Sequence, residues 1–89
     1  MLKGNYPNPF NPITTISYKL GNISAVTLEI FNVKGQRVNL LVNETQAAGT
    51  YNAVWQGKDA SNKPVSSGIY LYRLTAGEHI ESRKMMLMK

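Results

Sequence analysis

The sequence predicts an all-β fold, an antiparallel β-sandwich of about seven short strands, and three observations carry that prediction. Apolar and polar residues alternate at a period of two over several short stretches, which puts one face of each in a core. Turn-forming clusters separate those stretches at roughly ten-residue intervals, and no stretch of useful length has helical periodicity. Finally, the only tryptophan and two of the five tyrosines flank one polar turn between Val54 and Leu74, so the core is expected to close around that stretch.

The 89 residues suffice for one domain over residues 1–89 with a single core, and leave little room for an active-site cleft. Cysteine is absent, so neither disulfides nor thiolate metal sites are available. Ten Lys and Arg against five Asp and Glu give a net charge of +5. These charges are scattered, with no run longer than Arg83-Lys84, which argues for solvated faces over a nucleic-acid surface. No run approaches the ~18 apolar residues of a membrane span, and the opening Met-Leu-Lys-Gly is not a signal peptide. The abrupt start of the first motif suggests a domain taken from a longer protein.

Residues 5–12, N-Y-P-N-P-F-N-P, hold three prolines and three asparagines and form an entry segment that cannot be a regular central strand. Its rings, Tyr6 and Phe10, are expected to tuck onto the core and plug an open end. The sandwich is expected over residues 13–89. Ile16, Tyr18 and Leu20 alternate with polar neighbours in its first strand, and Val26, Leu28 and Ile30 do so in the second. Asn32 to Gly35 is a turn with Gly35 placed for positive φ. Arg37 to Asn43 follows, with Val38, Leu40 and Val42 read inward and Leu41 breaking the pattern.

Tyr51, Ala53 and Trp55 share one face of the next strand, and Trp55 is expected beside Tyr70 in the core, with the polar tips of both rings bonded. A loop from Gly57 to Pro64 and a short strand at Pro64 to Ser66 lead to Ile69–Leu74, which reads as a strand covered on both faces. Ser67-Gly-Ile-Tyr-Leu-Tyr72 has the layout of the tyrosine corner of immunoglobulin-like sandwiches, with Tyr72 in the slot of a disulfide cysteine. In the last strand, His79 to Met88, Met85 and Leu87 share one face and Met86 and Met88 the other. That strand is either central or has one apolar face uncovered, and a methionine-rich face there either fills an irregular core or docks a partner.

Little in the chain points to chemistry. His79 is the only histidine, the acids Glu29, Glu44, Glu78 and Glu81 fall on outward or turn positions, and no glycine-rich phosphate loop is present. Asp59, Ser61 and Asn62 offer loop oxygens to a calcium ion, but an Asx-turn accounts better for Asp59. The residues therefore predict a non-catalytic module with no catalytic residue, metal ligand or cofactor. Tyr51 or Phe31 would offer a platform for sugar rings if either points outward.

Five segments, N-Y-P-N-P-F-N-P-I-T-T-I (Asn5–Ile16), F-N-V-K-G-Q-R-V (Phe31–Val38), A-G-T-Y-x-x-x-W (Ala48–Trp55), S-G-I-Y-L-Y-R-L (Ser67–Leu74) and R-K-M-M-L-M-K (Arg83–Lys89), resemble the type A C-terminal sorting domain of the type IX (Por) secretion system. Closely similar sequences are immunoglobulin-like domains related to that of the flagellar hook-capping protein. The resemblance implies an immunoglobulin-like sandwich at the C-terminus of a larger secreted protein. Such a protein passes through the periplasm, is recognised by the outer-membrane translocon and is cut before the domain by a sortase-like surface protease. Its cargo is then released or joined to anionic lipopolysaccharide at the cell surface. By position, the implied recognition residues are Ser67, Gly68, Tyr70, Arg83, Lys84, Met85, Leu87 and Lys89. The alternatives are an accessory module of a secreted hydrolase that binds carbohydrate or cell envelope and, behind it, a flagellar hook scaffold domain. Two positions depart from the family pattern: Gln56 follows the tryptophan where an acidic residue is usual, and Asn62 stands where glycine is common. The expected core is Tyr6, Phe10, Ile16, Tyr18, Val26, Leu28, Ile30, Trp55, Tyr70 and Tyr72.

Overall fold

A computed structural model describes residues 1–89, which form seven antiparallel strands in two packed sheets and no helix. The strands are β1 (Leu2–Tyr6), β2 (Thr14–Leu20), β3 (Ser24–Phe31), β4 (Arg37–Gln46), β5 (Gly49–Trp55), β6 (Gly68–Ala76) and β7 (His79–Leu87). One sheet has the order β1-β2-β5 and the other β4-β3-β6-β7. The core lies between them, and alternation dictates its membership. Ile16, Tyr18 and Leu20 from β2 meet Val26, Leu28 and Ile30 from β3, Tyr70, Tyr72 and Leu74 from β6, and Met85 and Leu87 from β7, all buried.

The seventh strand is not the one the sequence suggests. Pro64 makes only a single bridge to Lys58, whereas Leu2–Tyr6 pairs with β2. In that register Leu2 lies opposite Tyr18 and Asn5 opposite Ile16, both inward, while Tyr6 lies opposite Thr15. Tyr6 therefore points out and is 83% exposed, so it is not a core residue. Phe10 does plug the core, with its ring centroid 5.7 Å from that of Trp55.

The strand β4 departs from alternation for a related reason. Leu28 pairs with Val42 but Glu29 with Leu40, and Ile30 pairs with Asn39 but Phe31 with Arg37, so Leu41 and Val38 are each an extra residue in a bulge. Val38, Leu41 and Val42 pack against the core, and Leu40, expected inward, sits opposite the outward Glu29. The strand β6 is covered on one face only, since Ile69 remains 40% exposed.

Two local devices each appear twice. Asn32 and Asp59 open five-residue turns of the same build, in which the side-chain Oδ1 accepts the N–H groups two and four residues on. The fourth residue takes a positive φ in both, Gly35 at 81° and Asn62 at 65°. Asparagine tolerates that conformation, so the departure at Asn62 leaves the turn intact. The carboxylate of Asp59 is thus engaged by its own loop.

The second device is the tyrosine corner. Tyr70 donates its hydroxyl to the Ser66 carbonyl at 2.7 Å, and Tyr51 donates to the Ala47 carbonyl at the same distance. Two residues before each tyrosine is a glycine at φ +152°, Gly68 and Gly49, a conformation that side chains rarely adopt. Trp55 stands edge-on to Tyr70 at 5.2 Å and donates its indole N–H to the Lys58 carbonyl at 2.9 Å. Both rings therefore bury their bodies with polar tips paired.

Candidate functional site

The residues implied by the resemblance come together as one cross-strand unit. In the β6–β7 ladder Gly68 lies opposite Leu87 and Tyr70 opposite Met85, and the backbone N–H of Lys89 donates to Ser67 Oγ at 3.0 Å. Their roles divide by face. Tyr70, Met85 and Leu87 point inward and are buried, so they hold the strand in place and are not themselves presented. Ser67, Gly68, Arg83, Lys84 and Lys89 are exposed.

Between the exposed cations lies an apolar strip that the motif residues alone do not reveal. Ile69 and Met86 form a cross-strand pair on the outer face at 40% and 39% exposure, and Met88 beyond them is 54% exposed. An open groove of about 330 Å³ runs between Pro9, Ile69, Lys84 and Met86. The uncovered methionine face is legible in the sequence; Ile69 is not, because the unbroken apolar run of β6 reads as a strand covered on both sides. Tyr70 as an inward corner residue is what assigns Ile69 to the other face.

The entry segment fixes this surface from the side. Asn8 Oδ1 accepts the Met86 N–H at 3.0 Å, Phe10 donates its N–H to the Met86 carbonyl at 3.0 Å, and Met88 donates to the Phe10 carbonyl at 2.9 Å. Farther back, Asn5 Nδ2 donates to Thr14 Oγ1, and that hydroxyl donates to the Pro7 carbonyl. Arg83 spends its guanidinium on the Leu2 carbonyl at 3.0 Å. Both ion pairs of the chain centre instead on Glu29, with Arg37 and Arg73, so Lys84 and Lys89 face solvent with no carboxylate in contact.

The aromatic platforms considered for sugar are already occupied. Tyr51 stacks on Tyr18 at 5.4 Å, and the Arg73 guanidinium lies 4.6 Å from the Phe31 ring centroid. No three His, Cys, Asp or Glu side chains converge on a point. Burial pushes the Tyr18 phenol above its ordinary value of 10.0, with its hydrogen bond to Gln46 opposing that and the Tyr51 and Glu44 charges adding to it. Burial raises Tyr72 as well, against the pull of Arg83.

Two antiparallel sheets, a core closed by tryptophan and a tyrosine corner at the head of β6 define an immunoglobulin-like β-sandwich domain. The family model of the FlgD Ig-like domain matches residues 13–79, and the chain belongs to that family. The match ends at the first residue of β7, so β1, the whole entry segment and all but the first residue of β7 lie outside it. FlgD from P. aeruginosa is 25% identical with a TM-score of 0.65, over 83% of this chain and 57% of that one. PorZ, an essential surface component of the type-IX secretion system of Porphyromonas gingivalis, shares the fold with a TM-score of 0.66 at 18% identity, over 96% of this chain and 11% of that one. The chain thus spans less than two thirds of the first protein and about a tenth of the second. No curated protein matches it.

Proposed function

We propose that this domain is a non-catalytic secretion and cell-surface sorting signal of a larger secreted protein, recognised by the outer-membrane type IX translocon. The observation that carries the reading is the β6–β7 surface. There the Ser67–Leu74 and Arg83–Lys89 motifs become ladder partners across the β6–β7 hairpin and present Ile69, Met86 and Met88 between Lys84 and Lys89. An apolar strip bordered by unpaired cations is a surface built for a partner, since monomeric proteins seldom leave one open without use. The shared fold of PorZ, itself described as a type-IX component, supports the same setting.

The test fuses the domain to a fluorescent cargo behind a signal peptide in a bacterium with type IX secretion. The intact fusion reaches the surface or medium, and Lys84→Glu with Lys89→Glu leaves it in the periplasm. Both positions are exposed, so folding stability changes by about 0.5 kcal/mol or less, checked by thermal melting. Export of the charge-reversed fusion at the intact level refutes the reading.

One observation favours a second function, that of an accessory module binding carbohydrate or cell envelope. Tyr6, turned outward by its register, stands over an open groove with Ser17, Thr50 and Asn52, the ring-plus-amide pattern that suits a sugar. Glycan-array binding abolished by Tyr6→Ala supports that reading, and binding unchanged by the substitution removes it.

A further inference from the structure

Three of the four sheet edges are closed. At β1, Lys3 forms a bulge, and the Leu2 N–H and carbonyl are taken by Glu81 and Arg83. At β7, Asn8 and Phe10 occupy Met86 and Met88. At β4, two bulges break the line, Ala60 donates to the Val38 carbonyl and Asn39 reaches Lys58. Bulges, charges and covering segments are the usual means by which proteins disarm an edge.

The fourth edge, β5, has none of them. It pairs with β2 without a register shift from Trp55 opposite Thr14 to Gly49 opposite Leu20. No hydrogen bond outside that ladder reaches the backbone of Gly49–Trp55, so the groups on its far side are unpaired. The strand contains neither proline nor charge, and the neutral stretch extends from Thr45 to Gly57 in a chain that is 17% charged.

The geometry points to β5 as the site of edge-to-edge association with a second copy of this chain, giving a two-fold dimer with one continuous sheet of β1-β2-β5 and its symmetry mate. The partner must be an extended strand, because only a strand satisfies a row of alternating donors and acceptors. A second copy fits for two reasons. Neutrality removes the like-charge repulsion that a chain of net charge +5 meets elsewhere on its surface. The strand is also self-complementary. With Asn52 opposite its own mate, antiparallel pairing sets Tyr51 against Ala53 on the inner face, a large residue against a small one. On the outer face it sets Thr50 against Val54, a β-branched pair. The contact is one strand long, so association is weak and depends on concentration.

Sedimentation equilibrium over a wide concentration range tests this. The weight-average mass rises from 9.9 kDa toward twice that value. Thr50→Lys with Val54→Lys brings lysine against lysine at both symmetric pairs and holds the chain monomeric. Thr50→Glu with Val54→Lys sets opposite charges across the same pairs and restores the dimer. Both side chains are exposed, Val54 at 53%, and melting curves verify that each variant folds. A wild-type chain that stays monomeric throughout, or a double-lysine variant that dimerises like wild type, overturns the proposal.

Discussion

The two tyrosine corners use one local design in two settings. Ala47 to Tyr51 and Ser66 to Tyr70 share a glycine at φ +152°, a tyrosine two residues on and a 2.7 Å bond from its hydroxyl to the carbonyl four residues back. Around them the molecule differs. Tyr70 is 6% exposed beneath the edge of Trp55, whereas Tyr51 is half-buried and stacked on Tyr18 at the rim of the other sheet. The corner therefore sets where a strand begins, while the ring packed over it sets how much that beginning matters to stability.

The largest expected effect comes from removing what distinguishes the two. Trp55→Ala opens a cavity beside both Phe10 and Tyr70 and costs ~3–5 kcal/mol, which urea unfolding will show as a transition lost or moved far toward zero denaturant. Retention of the wild-type midpoint would mean that Tyr70 does not depend on its cover.

Next come the glycines. A Cβ at Gly68 meets nothing within 4 Å, and one at Gly49 meets only the Tyr51 ring at 3.9 Å, so alanine there carries a backbone cost alone. Gly68→Ala and Gly49→Ala should therefore destabilise by similar amounts, ~1–3 kcal/mol each, and a clear inequality in their melting shifts breaks the equivalence of the two corners.

The hydroxyls separate the sites more finely. Tyr70→Phe loses a partly buried bond and costs ~0.5–1.5 kcal/mol, while Tyr51→Phe loses an exposed one and stays within ~0.5 kcal/mol. Equal losses in paired chemical melts would show that burial is irrelevant to the bond.

The smallest effect is silent at neutral pH. Tyr18 and Tyr72 are held protonated in the folded chain above the pH at which the unfolded chain ionises, because both phenols are raised from 10.0. Above about pH 10 the unfolded state therefore binds fewer protons than the folded one, and stability falls as pH rises through the folded values. Tyr18→Phe with Tyr72→Phe should flatten that decline. An unchanged slope of melting temperature against pH in the double variant would assign the decline to other groups.

Most of the sandwich was legible because β2, β3 and β5 place apolar residues at every second position, as β7 does at Met85 and Leu87. The strand β1 was hidden because Leu2 is its one buried residue, and its strand character comes from pairing with β2. The fate of Tyr6 depended on that same pairing, which no local pattern encodes. In β4 the bulges at Val38 and Leu41 scrambled the period. Of the recognition surface, the motif residues were readable but the division between Met85 and Leu87 inside and Ile69 and Met86 outside needed the β6–β7 register. The second corner is not legible in the sequence, since A-G-T-Y differs from S-G-I-Y at two of four positions and the bond to Ala47 exists only in the folded chain.

The seam between the entry segment and β7 has a mechanical meaning. Phe10 bridges Leu87 in parallel, with bonds of 3.0 and 2.9 Å to Met86 and Met88. Tension applied between the entry segment and the last strand thus pulls these backbones in opposite directions along their length. The bonds are loaded in shear and break together, where an antiparallel pair pulled from one end would unzip one bond at a time. A force applied between the last strand and the entry segment is therefore resisted by these bonds acting together. In single-molecule pulling, Asn8→Ala, which takes one bond from that seam, lowers the force needed to open it.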